Sequence, residues 1–257
     1  MKNIPLVIQF IGTIIIVLTS VEVGYRTGMA LEKRMKNEKA PLISIITGAV
    51  LSLLSFILAF TFGVVSDRFD ARKRLIREEA NQIYKVWLRT DFMPEADKIH
   101  SRNLLKEYIT IRTTPMKELD DDKIVTSLIE ATKIQDQLWV LAISHANTDL
   151  KSDIGALYFD ALNELIDIQS SRVRIGYQTN TPFGLWISIY VLMVFAMLST
   201  GYYAAINHSK RNFSSYILAL SFSLVMLVIS SLDQGKSNWF RISYQAFTDL
   251  QTKISNK

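Results

Sequence analysis

The chain has 257 residues, of which 49% are hydrophobic and 21% charged, and it carries a net charge of +5 at pH 7. The apolar content excludes an intrinsically disordered protein, and the low numbers of glycine and proline, 10 and 5, exclude a collagen-like one. Because there is no cysteine, disulfides, thiolate metal sites and cysteine nucleophiles are excluded too.

The apolar residues gather in four segments without a charged side chain: Asn3–Val21, Leu42–Val65, Phe183–Ile206 and Phe213–Leu232. As helices, segments of this length span roughly 28 to 36 Å, enough to cross the hydrocarbon core of a membrane. The alternative, a soluble bundle of buried helices, normally shows polar residues at the helical period. We therefore predict transmembrane helices at about 3–23, 42–65, 183–206 and 213–232.

The first apolar segment has a second interpretation, because Lys2 followed by a hydrophobic stretch is also typical of a signal peptide. The stretch is long for that class, and Thr19–Tyr25 lacks a clear small-x-small cleavage site. A first transmembrane helix is the prediction we keep.

The middle of the chain, residues 66–181, is predicted to be helical throughout. One helix should continue from the second apolar segment to Asp91, and a second should run from Met93 to Thr113. Asp120–Asp122 should cap a third helix over about 123–146, because they lack the glycine and distal glutamate of a calcium loop. An apolar stripe from Ile154 to Ile168 indicates a fourth helix over about 152–176.

The orientation follows from the lysines and arginines that flank the apolar segments. Ten of them lie on the side shared by the N-terminus, the middle segment and the C-terminus, against seven on the other side. This balance predicts a cytoplasmic middle segment with both termini cytoplasmic. Lysines and arginines that flank membrane helices can lie against anionic lipid headgroups, so the net charge of +5 does not require a nucleic acid partner.

Nothing in the sequence indicates catalysis, so we predict that the protein is not an enzyme and binds no cofactor or metal. His100, His145 and His208 are too far apart in sequence to form a helical metal pair. The acidic pair Glu78-Glu79 is typical of a solvated surface. The apolar segments contain no carboxylate, which argues against an energy-coupled proton channel of the flagellar stator class.

The second apolar segment has two distinctive faces. Small residues recur every three or four positions, which indicates close packing within one subunit or the lining of a narrow axis. They are Ser44, Gly48, Ser52, Ser55, Ala59, Gly63 and Ser66. Phe56, Phe60 and Val64 follow one another at steps of four, and such a row either faces lipid or forms a hydrophobic constriction.

These residues resemble the bestrophin channels. Ser55–Phe60, followed by Arg68-Phe69, is similar to the pore-helix motif S-F-x-L-G-F and the downstream R-W of that family. Nearly the whole chain resembles the bestrophin-like bacterial membrane family known as domain of unknown function 4239. The matching positions are Glu79–Asn81, Arg89–Pro94, Tyr108, Arg112, Arg172, Pro182, Trp186, Leu232-Asp233 and Arg241–Ser243. The chain departs from the family pattern at Gln234, Gly235 and Asn238, where Arg, Pro and Gly are usual.

The resemblance implies a homopentameric ion channel of the bacterial cell membrane, in which five copies of the second helix surround one pore for inorganic ions. It places Ser52, Phe56 and Phe60 at the pore neck, where Ser52 replaces a usual aliphatic residue. Arg68, Arg72 and Lys73 would then be charges of a cytoplasmic vestibule, or would face lipid headgroups.

The predicted architecture is an all-α membrane protein with four transmembrane helices in a 2 + 2 arrangement around a helical insert. Residues 1–65 and 182–232 would be the two helix pairs, 66–181 the cytoplasmic domain and 233–257 a C-terminal cytoplasmic segment. The alternative function is a non-conducting membrane scaffold or signalling protein, whose stripe on Ile154–Ile168 would bind a partner.

Overall fold

The computed structural model describes residues 5–32, 40–113, 121–148, 153–175, 181–208, 214–234, 240 and 242–255. These residues form eight α-helices and one 3-10 turn, with no strand among them. The helices are α1 Leu6–Glu32, α2 Ala40–Arg89, α3 Glu95–Thr113, α4 Asp121–Thr148, α5 Asp153–Val173, α6 Phe183–Ile206, α7 Ser214–Gln234 and α8 Gln245–Ser255, and the 3-10 turn is Thr90–Phe92.

The predicted all-α fold is confirmed, and four helices are long and apolar enough to cross a membrane. These are Leu6–Leu31, the helix within Pro41–Phe92, Phe183–Ile206 and Tyr216–Gln234. Two of them precede α3–α5 in the chain and two follow. The first is longer than predicted, because α1 continues past residue 23 to Glu32.

Several predictions lie outside the residues or side chains that the structure describes. They concern Lys2, Asn3, Asp120, Asp121, Asp122, His145, Ile154, Phe213, Gly235, Asn238 and Arg241.

The chain divides into two compact units, residues 1–69 with 180–241 and residues 70–179 with 242–257. In the first, which contains the apolar segments, α1 packs against α6 and α7. Polar side chains join these helices: Gln9 Oε1 accepts a hydrogen bond from Ser230 Oγ at 2.5 Å, and the Thr13 and Tyr190 hydroxyls lie 3.1 Å apart. Such bonds satisfy polar groups in an apolar surrounding.

Three glycines allow α1 and α6 to approach closely. A Cβ atom at Gly24 would collide with the backbone carbonyl of Leu198, and one at Gly201 with that of Val21. A Cβ at Gly28 would lie 2.6 Å from Ala205 Cβ. Gly24 and Gly28 form the G-x-x-x-G spacing of closely packed membrane helices, a pattern that is visible in the sequence but is absent from the predictions above.

We predict that Gly24→Ala destabilises the protein, whereas Gly12→Ala on the same helix does not. The new methyl group at Gly24 meets backbone atoms that cannot rotate away, so α1 and α6 must separate, at a cost of about 1–3 kcal/mol. A Cβ at Gly12 meets nothing within 4 Å, and alanine is the better helix former. Thermal unfolding of both purified variants measures the difference, and equal unfolding midpoints would contradict the prediction.

The second compact unit has its own core, to which α3, α4, α5 and α8 contribute. Leu105, Tyr108, Leu138, Leu162, Leu165 and Phe247 are among its most deeply buried side chains. On α5, the predicted stripe contributes Tyr158, Ala161 and Leu165 to this core. These three side chains therefore pack internally and do not form the docking surface that the scaffold alternative requires, whereas Leu157 of the same stripe is 51% exposed.

Helix α8 was not predicted, although its sequence contains the signal. Phe247, Leu250 and Ile254 follow one another at steps of three and four, and all three are buried in the same core. The C-terminal segment thus includes an amphipathic helix that completes the second compact unit.

Candidate functional site

One face of α2 is left uncovered by the part of the chain that the structure describes. Phe56 and Phe60 are 65% and 62% exposed, and Ser52 is exposed on the same face. Residues four positions apart lie on nearly the same side of a helix, so the three form one row along α2. Leu54 and Leu58, in contrast, are 0% and 5% exposed. The row faces away from the subunit's own helices, as either a pore lining or a lipid-facing surface must.

The small residues of α2 also face outward. A Cβ atom at Gly48 or Gly63 would meet nothing within 4 Å, and Ser55 and Ala59 are exposed. The interpretation that this stripe packs within one subunit is therefore wrong at Gly48 and Gly63. The glycines that do serve close packing are those of α1 and α6.

Of the three predicted vestibule charges, Arg68 has a partly buried acidic partner. Its Nη1 lies 3.5 Å from Asp233 Oδ1 and donates to Thr181 Oγ1 at 3.3 Å, and Thr181 in turn donates to Asp233 at 2.7 Å. This arrangement connects α2 to the start of α6 and the end of α7. Lys73 is more exposed and lies 3.7 Å from Asp70, while Arg72 is half-buried. A vestibule role for these charges stays a prediction.

A second cluster lies in the core of the other compact unit and is built around Glu79. Arg112 holds this carboxylate with two bonds, Nε to Oε1 at 2.7 Å and Nη2 to Oε2 at 3.1 Å. Arg172 Nη1 adds a bond to Oε2 at 2.5 Å, and the Tyr108 hydroxyl donates to Oε1 at 2.8 Å. Glu79 is fully buried, so its assignment to a solvated surface was wrong. Its neighbour Glu78 is the exposed member of the pair.

The electrostatics of this cluster keep Glu79 ionised. Burial alone would raise the pKa of its carboxyl group, but the charges and hydrogen bonds of Arg172 and Arg112 lower that pKa to about 2. Burial and the adjacent Glu79 charge raise the pKa of Tyr108 well above its usual value, so its hydroxyl stays protonated as a donor. At neutral pH the cluster is therefore an ion pair in which two guanidinium groups share one carboxylate.

Other side chains surround this cluster. Gln135 Nε2 donates to the Tyr108 hydroxyl at 3.3 Å, and Gln169 Oε1 lies 3.3 Å from the same oxygen. The Arg172 guanidinium stacks over Phe247 at 5.2 Å, a cation–π contact that attaches α8 to the cluster. Helices α2, α3, α4, α5 and α8 therefore all contribute to one polar centre.

The sequence pattern included Glu79, Tyr108, Arg112 and Arg172, but nothing in their spacing indicated that they touch. Within the described residues, no three histidine or acidic side chains are placed to hold a metal ion. Because the side chains of the Glu79 cluster come from α2, α3 and α5, their ion pairs and hydrogen bonds hold these helices together.

The comparisons with known proteins agree on one family. Residues 14–247 match the family model of the Bestrophin-like domain. Two mutants of a bacterial bestrophin homologue from Klebsiella pneumoniae have the same fold, with TM-scores of 0.65 and 0.64 at 10% and 12% identity. The first alignment covers 98% of each chain, the second 97%.

A mutant described only as a membrane protein matches with a TM-score of 0.61 at 13% identity, over 98% of this chain and 97% of the other. No curated protein matches the chain significantly. Because the family model spans most of the sequence and the fold agrees along nearly its whole length, the chain belongs to the Bestrophin-like family.

Proposed function

We propose that the protein is an ion channel that conducts inorganic ions through a central pore lined by α2. The observation that carries this proposal is the uncovered face of α2, on which Ser52, Phe56 and Phe60 form one row. In a Bestrophin-like chain, copies of this face arranged around a symmetry axis would enclose a pore. The small residues of the stripe allow several such helices to approach one axis.

The chemistry of the row supports a hydrophobic neck. Side chains at steps of four stack about 6 Å apart along the helix axis. In a homopentamer, the number that the family resemblance implies, Phe56 and Phe60 would each form a girdle of five rings without hydrogen-bonding groups. A narrow apolar collar excludes water, and an ion that crosses it loses hydration that nothing replaces. The Ser52 ring would be wet and would shorten the dry neck by one turn.

The remaining features are consistent with a conduction role. The protein would lie in the bacterial inner membrane with both termini and α3–α5 in the cytoplasm, and it would carry out no covalent chemistry. Three residues of the stripe that the scaffold alternative would use, Tyr158, Ala161 and Leu165, are in the core and are not available to bind a partner.

The oligomer that this function requires is directly testable. We expect the protein purified in mild detergent to behave as one homo-oligomer and to give five bands up to the pentamer on progressive cross-linking. The physical reason is that large apolar rings and glycines on one face of α2 are uncovered in a single subunit. Cross-linking that stops at monomers and dimers, with native mass spectrometry in agreement, would contradict the pentameric channel.

A further inference from the structure

An open groove of about 340 Å³ lies between α4 and α5 in the second compact unit. Its lining is mixed in character. Thr132 and Gln135 come from α4, and Ile166, Gln169, Ser170, Val173 and Arg174 from α5 and its end. Gln135 and Gln169 also belong to the Glu79 cluster described above, but neither that cluster nor the proposed conduction assigns a ligand to the groove.

The floor of the groove is polar although it is buried. Gln135 and Gln169 are only 4% and 5% exposed, and both contact the Tyr108 hydroxyl, which donates to Glu79. Gln169 Nε2 also lies 3.5 Å from the Thr132 hydroxyl at the groove wall. A ligand that hydrogen-bonds to these amides would therefore be one contact away from Tyr108 and two from Glu79.

The charges behind this floor favour an anion. Arg112 and Arg172 both form their ion pairs with Glu79, the single acidic partner that the described part of the chain gives them. Two buried guanidinium groups on one carboxylate leave a formal charge of +1, and charges act over longer distances in a buried environment than in water. Among the residues that the structure describes, the groove lining contains Arg174 and no acidic side chain. The exposed Asp136 and Asp167 lie on the same two helices but do not line the groove.

We propose that this groove binds a small organic anion. The Arg174 guanidinium at its rim would bind a phosphate or carboxylate group, which it suits by charge and by its forked donors. The hydroxyls of Thr132 and Ser170 and the two amides offer hydrogen bonds, while Ile166 and Val173 offer apolar contact to a carbon skeleton. The volume is within the range of small-molecule sites. Binding here is independent of whether the protein conducts ions.

The test is thermal unfolding of the full-length oligomer in detergent, followed by tryptophan fluorescence. The probes are inorganic phosphate, adenosine monophosphate and succinate, each compared with sodium chloride at matched ionic strength. We expect adenosine monophosphate or succinate to raise the unfolding midpoint saturably, by about 3 °C at ten times its dissociation constant, and to bind more tightly than inorganic phosphate. Tighter binding of adenosine monophosphate would indicate a phosphate ligand, and tighter binding of succinate a carboxylate ligand.

Two exposed rim residues provide variants that should fold normally. Arg174→Gln and Ser170→Ala should each weaken the binding of the organic probe, the first at least about tenfold because it removes a charge-assisted hydrogen bond. Arg77→Gln, which removes an exposed arginine from α2 instead, is the matched control and should leave binding unchanged. The proposal is overturned if no organic probe exceeds the salt control, as expected for a groove covered by a neighbouring subunit. It is equally overturned if inorganic phosphate binds as tightly as both organic probes, or if Arg174→Gln and Arg77→Gln behave alike.

Discussion

Replacing Phe56 and Phe60 together by alanine should raise the basal current of the reconstituted protein by about tenfold or more, because lowering the barrier by only 1.4 kcal/mol speeds passage tenfold. The two rings form the dry part of the proposed neck, and removing them should widen and hydrate it. Both side chains are more than 60% exposed in the subunit, so their loss leaves its core intact. The measurement is macroscopic current in proteoliposomes at matched protein density, with oligomer size checked in parallel.

A matched control lies on the same helix. Phe62 is 43% exposed but lies on a different side of α2 from the Phe56–Phe60 row. Phe62→Ala removes the same ring from the same helix and should leave the current unchanged. If Phe56 and Phe60 face lipid or a neighbouring helix instead, their replacement would lower stability through lost packing while conductance stays as it was. That outcome would remove both residues from the pore.

Replacing Glu79 by glutamine should cost about 3–5 kcal/mol of unfolding free energy, the largest effect that we expect from a single substitution. The change leaves Arg112 and Arg172 buried without the carboxylate that balances them, and it replaces the charged acceptor of Tyr108 by a neutral amide. Chemical or thermal unfolding of the purified protein measures this loss. Glu78→Gln is the matched control, because Glu78 is half-exposed and forms only a surface pair with Arg74 at 3.5 Å. Its cost should stay below about 1 kcal/mol, and equal losses for the two variants would contradict the cluster.

The same cluster predicts a dependence on acid. The pKa of Glu79 is about 2 in the folded protein, against 4.5 for a free side chain. Because the folded pKa is depressed, its stabilisation is complete above pH 4.5 and is lost as the pH falls towards 2, on the order of 3 kcal/mol in all. Between these pH values the wild-type protein should therefore lose more stability than the Glu79→Gln variant. Parallel plots of unfolding free energy against pH for the two proteins would contradict the prediction.

The sequence was most informative where the signal is local. Uncharged segments of about 20 residues predict membrane helices because every backbone polar group in a bilayer must be satisfied within the helix. The approximate bounds of α2–α5 followed from apolar periodicity and from the break at Pro94. Spacing placed Phe56 and Phe60 on one face of α2, the resemblance to the bestrophin channels added Ser52 to this row, and the structure leaves all three side chains exposed.

Contacts between distant residues were not predictable in this way. Glu79 looks like half of a surface acidic pair, and only the fold brings it to Arg112 and Arg172, which are 33 and 93 positions away. The small residues of α2 and the glycines of α1 give similar patterns in sequence, but only the latter meet a neighbouring backbone. Whether such a residue is exposed or packs against a distant segment depends on its neighbours in the fold, which sequence spacing does not show.

Recording from the purified protein in a planar bilayer under a salt gradient tests the central claim most directly. The claim predicts discrete unitary currents whose reversal potential is displaced from zero, and the sign of the displacement shows whether the permeating ion is a cation or an anion. The same recordings should respond to Phe56→Ala with Phe60→Ala and not to Phe62→Ala. Silent bilayers containing intact, correctly assembled oligomer, for the wild-type protein and for the Phe56→Ala/Phe60→Ala variant, would contradict the proposal that this protein is an ion channel.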